Sequence, residues 1–164
     1  MLFTCNPRSL AASRPASRKI VKRGAKSFAV DLHCHVHTPA ADELAKQSAK
    51  PDADPMARYG NVRTRAHQNK LRAELDRKLT SIEQRLADMD KMGIDVQAIS
   101  TSPLQYYYTV ESDLGRQTSR VINERLAEIR DSHPGRFVAL GTVPRQAPEL
   151  AVTALEYPPR LKCW

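Results

Sequence analysis

Apolar residues recur along this chain with two periods. Leu71, Leu75, Leu79, Ile82, Leu86, Met89 and Met92 fall three or four residues apart, the spacing that lines one side of an α-helix. Ser81 with Gln84 three residues on has the form of a capping box, so the pattern predicts a break into two helices there. Gly93 follows as a left-handed helix terminator. A second helical face, Val121, Ile122, Leu126 and Ile129, lies within 113–132 and stops at His133-Pro134-Gly135. A third helix starts at Pro148, a residue suited to the first helical position, and is halted at Tyr157-Pro158-Pro159.

Three apolar runs of strand length, at 28–36, 94–100 and 137–143, alternate with these helices. The order strand, helix, strand, helix, strand, helix predicts parallel strands joined by right-handed crossovers. The polar stretch 40–61, with Pro51, Pro55 and Gly60, is too long for an ordinary connection. A long loop after a strand is a usual place to hold substrate. No GxGxxG or Walker loop follows any strand, which argues against dinucleotide and P-loop binding.

The first strand carries the candidate chemistry. Residues two apart share a face of a strand. Regular alternation therefore projects Asp31, His33, His35 and His37 to one side, and Leu32, Cys34 and Val36 to the other. Converging imidazoles can supply part of a divalent-metal site, and catalytic zinc takes three protein ligands plus water. One strand does not provide that set alone. Cys34 is expected to be a small buried hydrophobe. With Cys5 and Cys163 it makes three widely spaced cysteines and no CxxC pair, which argues against a structural zinc ribbon or finger and fits a reducing compartment. The α/β option that remains, with metal histidines at the end of its first strand, is a (β/α)8 barrel whose active site lies at the C-terminal ends of the strands. Such a barrel takes about 250 residues. The 164 residues here supply its first three β/α units, an incomplete barrel.

Charge modifies this picture little. The net charge of +8 is concentrated in residues 1–26, which hold Arg8, Arg14, Arg18, Lys19, Lys22, Arg23 and Lys26 and no acid. The remainder is nearly neutral, and aromatics make up only 5% of the chain, so no nucleic-acid partner is expected. No run approaches the roughly 20 apolar residues of a membrane span, and no membrane partner is expected. Residues 1–26 read as a basic leader, 27–156 as the barrel segment and 157–164 as a divergent tail. The expected location is cytoplasmic, with organelle import through the leader as the alternative.

The motif Asp31-Leu32-His33-Cys34-His35 resembles the first-strand DxHxH of the amidohydrolase superfamily. The segment RLADMDKMGIDVQ at 85–97 resembles the R-x-x-x-M-D-x-x-G-I-D-V-Q signature of its amidohydrolase-2 branch, which includes decarboxylases. PGRFVALGTVP at 134–144, followed by QAPELAV at 146–152, is similar to the same branch. The likeness runs over roughly 28–156. It implies that His33 and His35 bind a divalent metal, zinc by the family's usual chemistry. From the same strand face, Asp31 is expected to orient a ligand imidazole, and His37 to take a supporting or plain polar role rather than to ligate. The further histidine and aspartate ligands, and the histidine acid/base, belong to later strands, so no catalytic residue is assigned in this chain. Substrates of the branch are small carboxylates, for which Arg58, Arg63 and Arg65 are the candidate anchors. Intact members are expected to be homodimers. The resemblance thus implies the N-terminal part of a carboxy-lyase or hydrolase, inactive alone.

Two rival readings stand beside it. A DLHxH strand also opens the polymerase-and-histidinol-phosphatase type of phosphoesterase, but Thr38-Pro39-Ala40-Ala41-Asp42 makes no Ser-Asp-Gly turn. The other rival is a non-catalytic, unstable fragment with unpaired strand edges.

Overall fold

The computed structural model describes residues 28–46, 48 and 58–156. The basic leader, the tail at 157–164 and residues 47 and 49–57 of the long first loop lie outside the described residues. Three strands, β1 (Val30–Val36), β2 (Val96–Thr101) and β3 (Phe137–Ala139), form one parallel sheet in the order β1-β2-β3. Between β1 and β2 run the short α1 (Pro39–Ala45), then α2 (Val62–Thr80) and α3 (Ile82–Met92). A 3-10 turn (Pro103–Gln105) and α4 (Ser112–Ser132) join β2 to β3, and α5 (Pro148–Glu156) follows.

The helix punctuation acts as the residues dictate. Ser81 separates α2 from α3, and its hydroxyl accepts from the Gln84 N–H at 3.2 Å. Gly93 closes α3 at φ 68°, in the left-handed region open to glycine. Past α4, Gly135 turns the chain into β3 at φ 80°. No described helix is long and apolar enough to cross a membrane.

One face of the sheet is covered by helices. Cys34 and Val36 of β1, Ile99 of β2, and Phe137 and Ala139 of β3 pack against Ile82 and Met89 of α3 and Ile122, Leu126 and Ile129 of α4. The stripe expected on α2 does not enter this core: no residue of α2 is buried, and Leu75 is exposed. The core-facing stripe begins only after the Ser81 break. It includes a residue that polarity would place outside, the buried Arg85.

Three expectations need correction. The run at 137–143 is a strand only to Ala139. Beyond it, the Asn123 side chain accepts from Thr142 N and donates to Thr142 O, both at 2.8 Å, and this replaces a neighbouring strand. The start of the predicted loop is helical, with Pro39 leading α1 and Ala41 and Ala45 buried. Third, the alternation along β1 is broken. Val30 and Asp31 pair with Val96 and Gln97, but Cys34 and Val36 pair with Ile99 and Thr101, so β1 gains one residue between Asp31 and Cys34. A bulge of this kind shifts the following side chains to the opposite face. Leu32, expected on the buried side, is 75% exposed.

Candidate metal centre

The bulge decides which side chains meet. His33 and His35 sit on the face of the sheet away from the helices, with ring centroids 5.1 Å apart and planes at 88°. Asp31 was expected beside them. It lies instead on the helix-covered face, where Cys34 and Gln97 are its neighbours, because the extra residue makes positions three apart share a side. Its carboxylate accepts from the His33 backbone N–H at 3.2 Å and from Gln97 Nε2 at 3.3 Å. Asp31 therefore contacts the His33 main chain, not an imidazole nitrogen. The neighbouring Cys34 thiol and the His33 N–H hold its pKa below the usual carboxylate value. Burial and the same carboxylate push the Cys34 thiol up to about 12.

His35 is oriented by β2. Its Nδ1 lies 3.0 Å from the Thr101 carbonyl and 3.1 Å from Ser100 Oγ. A carbonyl only accepts, so a neutral His35 bonded to it carries its proton on Nδ1. The Ser100 hydroxyl donates to the Cys34 carbonyl at 3.3 Å, which leaves its oxygen to accept from the imidazole. The Nε2 lone pair of His35 is then available to a ligand. Ligating histidines commonly donate the other ring N–H to a backbone carbonyl in this way, which fixes tautomer and orientation. The pair thus fits two positions of a divalent-metal site. Among the described residues no three His, Cys, Asp or Glu side chains converge as a metal group.

His37 is not gathered into the pair. It follows β1, and its Nε2 lies 2.6 Å from Asp42 Oδ2 on α1. The other Asp42 oxygen accepts from Gln105 Nε2 at 2.9 Å and from the Tyr107 hydroxyl. Gln105 also brackets Thr38, donating to its carbonyl at 2.9 Å and accepting from its N–H at 2.8 Å. This network links the chain leaving β1 to the chain leaving β2. Tyr107 takes part from φ 48°, a conformation uncommon for a residue with a Cβ. Burial, reinforced by the Asp42 carboxylate, raises its phenol pKa well above the usual value. Tyr106 and Tyr108 stack with centroids 5.2 Å apart, and the Arg145 guanidinium lies 5.5 Å from the Tyr108 ring centre.

The candidate substrate anchors are dispersed. Arg58 lies 5.3 Å from the Tyr59 ring centre, and Arg63 and Arg65 are exposed on α2. His67 is also exposed on α2, and His133 bonds through Nδ1 to the Ile129 carbonyl at the end of α4. Sequence reasoning missed Arg85, Gln97, Asp42 and Gln105. For Arg85 a signal existed: it falls three residues after Ile82 and four before Met89, in step with the core face of α3.

Comparison with known proteins gives these features a context. A family model described as amidohydrolase matches residues 30–159. Two curated relatives are 2-amino-3-carboxymuconate-6-semialdehyde decarboxylases. The one from Dictyostelium discoideum is 21% identical over 79% of this chain and 36% of its own length. The one from Caenorhabditis elegans is 26% identical over 77% of this chain and 32% of its own length. The chain therefore spans about a third of these relatives. Among solved structures, 5-carboxyvanillate decarboxylase from Sphingomonas paucimobilis is 26% identical, with a TM-score of 0.62, over 80% of this chain and 39% of that one. A dihydroxybenzoic acid decarboxylase from Polaromonas sp. JS666, solved with bound manganese and 2-nitroresorcinol, is 25% identical, with a TM-score of 0.57, over 80% and 34%. The three parallel β/α units are those of a (β/α)8 barrel that these structures carry at greater length.

Proposed function

This chain belongs to the amidohydrolase family, and from that premise we propose that it supplies the first-strand half of the divalent-metal centre of a carboxy-lyase acting on a small carboxylate. His33 and His35 are the two ligands. The observation that carries the reading is the His35 ring itself. Its Nδ1 is engaged by the Thr101 carbonyl and Ser100, and its Nε2 is left for a cation beside the His33 ring. The decarboxylase relatives favour loss of carbon dioxide over hydrolysis, and the manganese in one of them favours a divalent ion without selecting zinc.

A divalent ion bound there would supply Lewis acidity toward a substrate oxygen. The chain's own part is to present two imidazoles at the C-terminal half of β1, one of them oriented through its Nδ1 by the Thr101 carbonyl and Ser100. Cys34 faces the helices and keeps its proton at neutral pH, so it does not compete as a ligand. The polypeptide of this sequence is proposed to bind metal weakly and to release no carbon dioxide unaided.

The test titrates the purified polypeptide with manganese and with zinc by calorimetry, beside His33→Ala and His35→Ala. Each substitution should weaken binding about tenfold or more, as loss of one ligand from a site with few protein ligands requires. Unchanged affinity in both variants would sink the assignment. Carbon dioxide release is then assayed with aromatic carboxylates. Turnover is expected only when the later barrel units of a solved decarboxylase are joined to this segment. Metal-dependent turnover by the polypeptide alone would overturn the claim that it supplies half a site.

A further inference from the structure

Behind the histidine strand lies a buried polar network that the metal chemistry does not use. Arg85 projects from α3 into the core side of the sheet and is 9% exposed. Its guanidinium donates to the His35 carbonyl at 2.6 Å, to the Lys78 carbonyl at 3.1 Å and to Gln97 Oε1 at 3.1 Å. Gln97, also buried, passes its amide to Asp31 Oδ2, and Asp31 Oδ1 accepts the His33 N–H. One connected set of side chains therefore grips the main chain of both histidines, at the N–H of His33 and the carbonyl of His35. It does so from the face opposite their imidazoles.

Arg85 is a buried cation whose bonds reach the main chain of β1 and the end of α2. All its hydrogen bonds go to neutral acceptors, and its Nε is buried without a partner. The desolvation of this cation is offset by those bonds and by the Asp31 carboxylate on the far side of Gln97. What an apolar side chain would lose is the hold on the His35 carbonyl and on the bulge.

We propose that Asp31, Gln97 and Arg85 are positioning residues that fix the bulged segment of β1 and thereby aim the His33 and His35 imidazoles. Without the bulge, regular pairing would carry Asp31 to the imidazole face and detach it from Gln97. With it, the carboxylate, the amide and the guanidinium form a back-plate and the two imidazoles face forward. This rests on the reading of His33 and His35 as a ligand pair, but its consequence is visible without metal.

The experiment uses the full chain labelled with 15N-histidine, free of metal, at a pH where imidazoles are neutral. Long-range proton–nitrogen correlation spectra report the tautomer of each ring. The wild-type chain should show His35 as the Nδ1–H form. Arg85→Met fills the same space without the guanidinium. It should keep the folded amide spectrum, at a thermal midpoint lowered because the His35 and Lys78 carbonyls and Gln97 Oε1 lose their donor, and move His35 to mixed tautomers. Asp31→Asn, at a half-buried site, should give a smaller shift of the same sign and secures the comparison if Arg85→Met fails to fold. A zinc titration of the same samples should show affinity reduced about tenfold in Arg85→Met. An unchanged His35 tautomer in a folded variant, or a wild-type His35 that is not the Nδ1–H form, overturns the proposal. A tautomer that shifts while no sample binds zinc leaves positioning in place and removes the metal reading, so the two failures are distinguishable.

Discussion

Cys34 and its two histidine neighbours show how a single face decides chemistry. Both residue types bind soft or borderline metals, yet only the imidazoles are turned away from the core. The Cys34 thiol, 5% exposed, is pushed up to about 12, first by burial and then by the Asp31 carboxylate. A raised pKa means that the fold keeps a proton which the unfolded chain has already released. Stability contributed by Cys34 is therefore whole below about pH 9, and it is lost progressively as pH rises toward about 12. The same protonation removes the nucleophile. Cys34 should resist iodoacetamide at mildly alkaline pH in the folded chain and react readily in denaturant, as read by peptide-resolved mass spectrometry. Rapid labelling of Cys34 under native conditions would contradict both its burial and its exclusion as a ligand.

The elements join these residues through a few sharp signals. Ser81 ends α2, where its N–H bonds to the Arg77 carbonyl at 2.9 Å, and it caps α3 through its hydroxyl. Loss of such a cap costs about 1 kcal/mol. Ser81→Ala should lower the urea midpoint by a corresponding amount, and Ser81→Asp should restore most of it. Equal midpoints for all three would mean that α3 is held by its core face alone. Signals of this kind made most of the fold legible: the period of three and four at 82–92 and 121–129, the glycine at 93, and the Pro-Gly stop at 134–135 all act locally. The bulge was not legible, because one inserted residue leaves composition and hydropathy unchanged while it reverses the side on which Asp31 lies. Nor was the burial of Arg85, since the polar side chain overrides its core-face spacing in any count of apolar positions. The third strand read too long because Val143 continues an apolar run that the Asn123 clasp, rather than a strand partner, supports. Of the candidate site, the His33–His35 pairing was legible from spacing alone. The Asp31 placement depended on the bulge and the His37–Asp42 bond on α1, which no strand pattern announces.

At the scale of the molecule, the sheet order β1-β2-β3 gives β1 and β3 one unpaired edge each among the described residues. Parallel sheets are normally covered on both faces and closed or flanked at their edges. On and just before β1, Phe28, Val30 and Leu32 are 71%, 47% and 75% exposed. An apolar row on an unpaired strand is a template for pairing with another chain. The same incompleteness leaves the His33–His35 pair with two imidazoles and no third ligand among the described residues. One geometric fact thus underlies both the weak metal binding and the association expected of this polypeptide. Leu32→Lys separates the two. The side chain is already mostly in water, so the change should alter folding stability by no more than about 0.5 kcal/mol. A lysine on an edge strand opposes strand addition. In sedimentation runs over a range of concentrations, the wild-type polypeptide should show growing mass and Leu32→Lys should remain closer to the monomer. A wild-type chain that stays monomeric at high concentration would show that the β1 edge is covered within the chain. Equal association of both would move the contact to the β3 edge, where Val138 is the exposed residue.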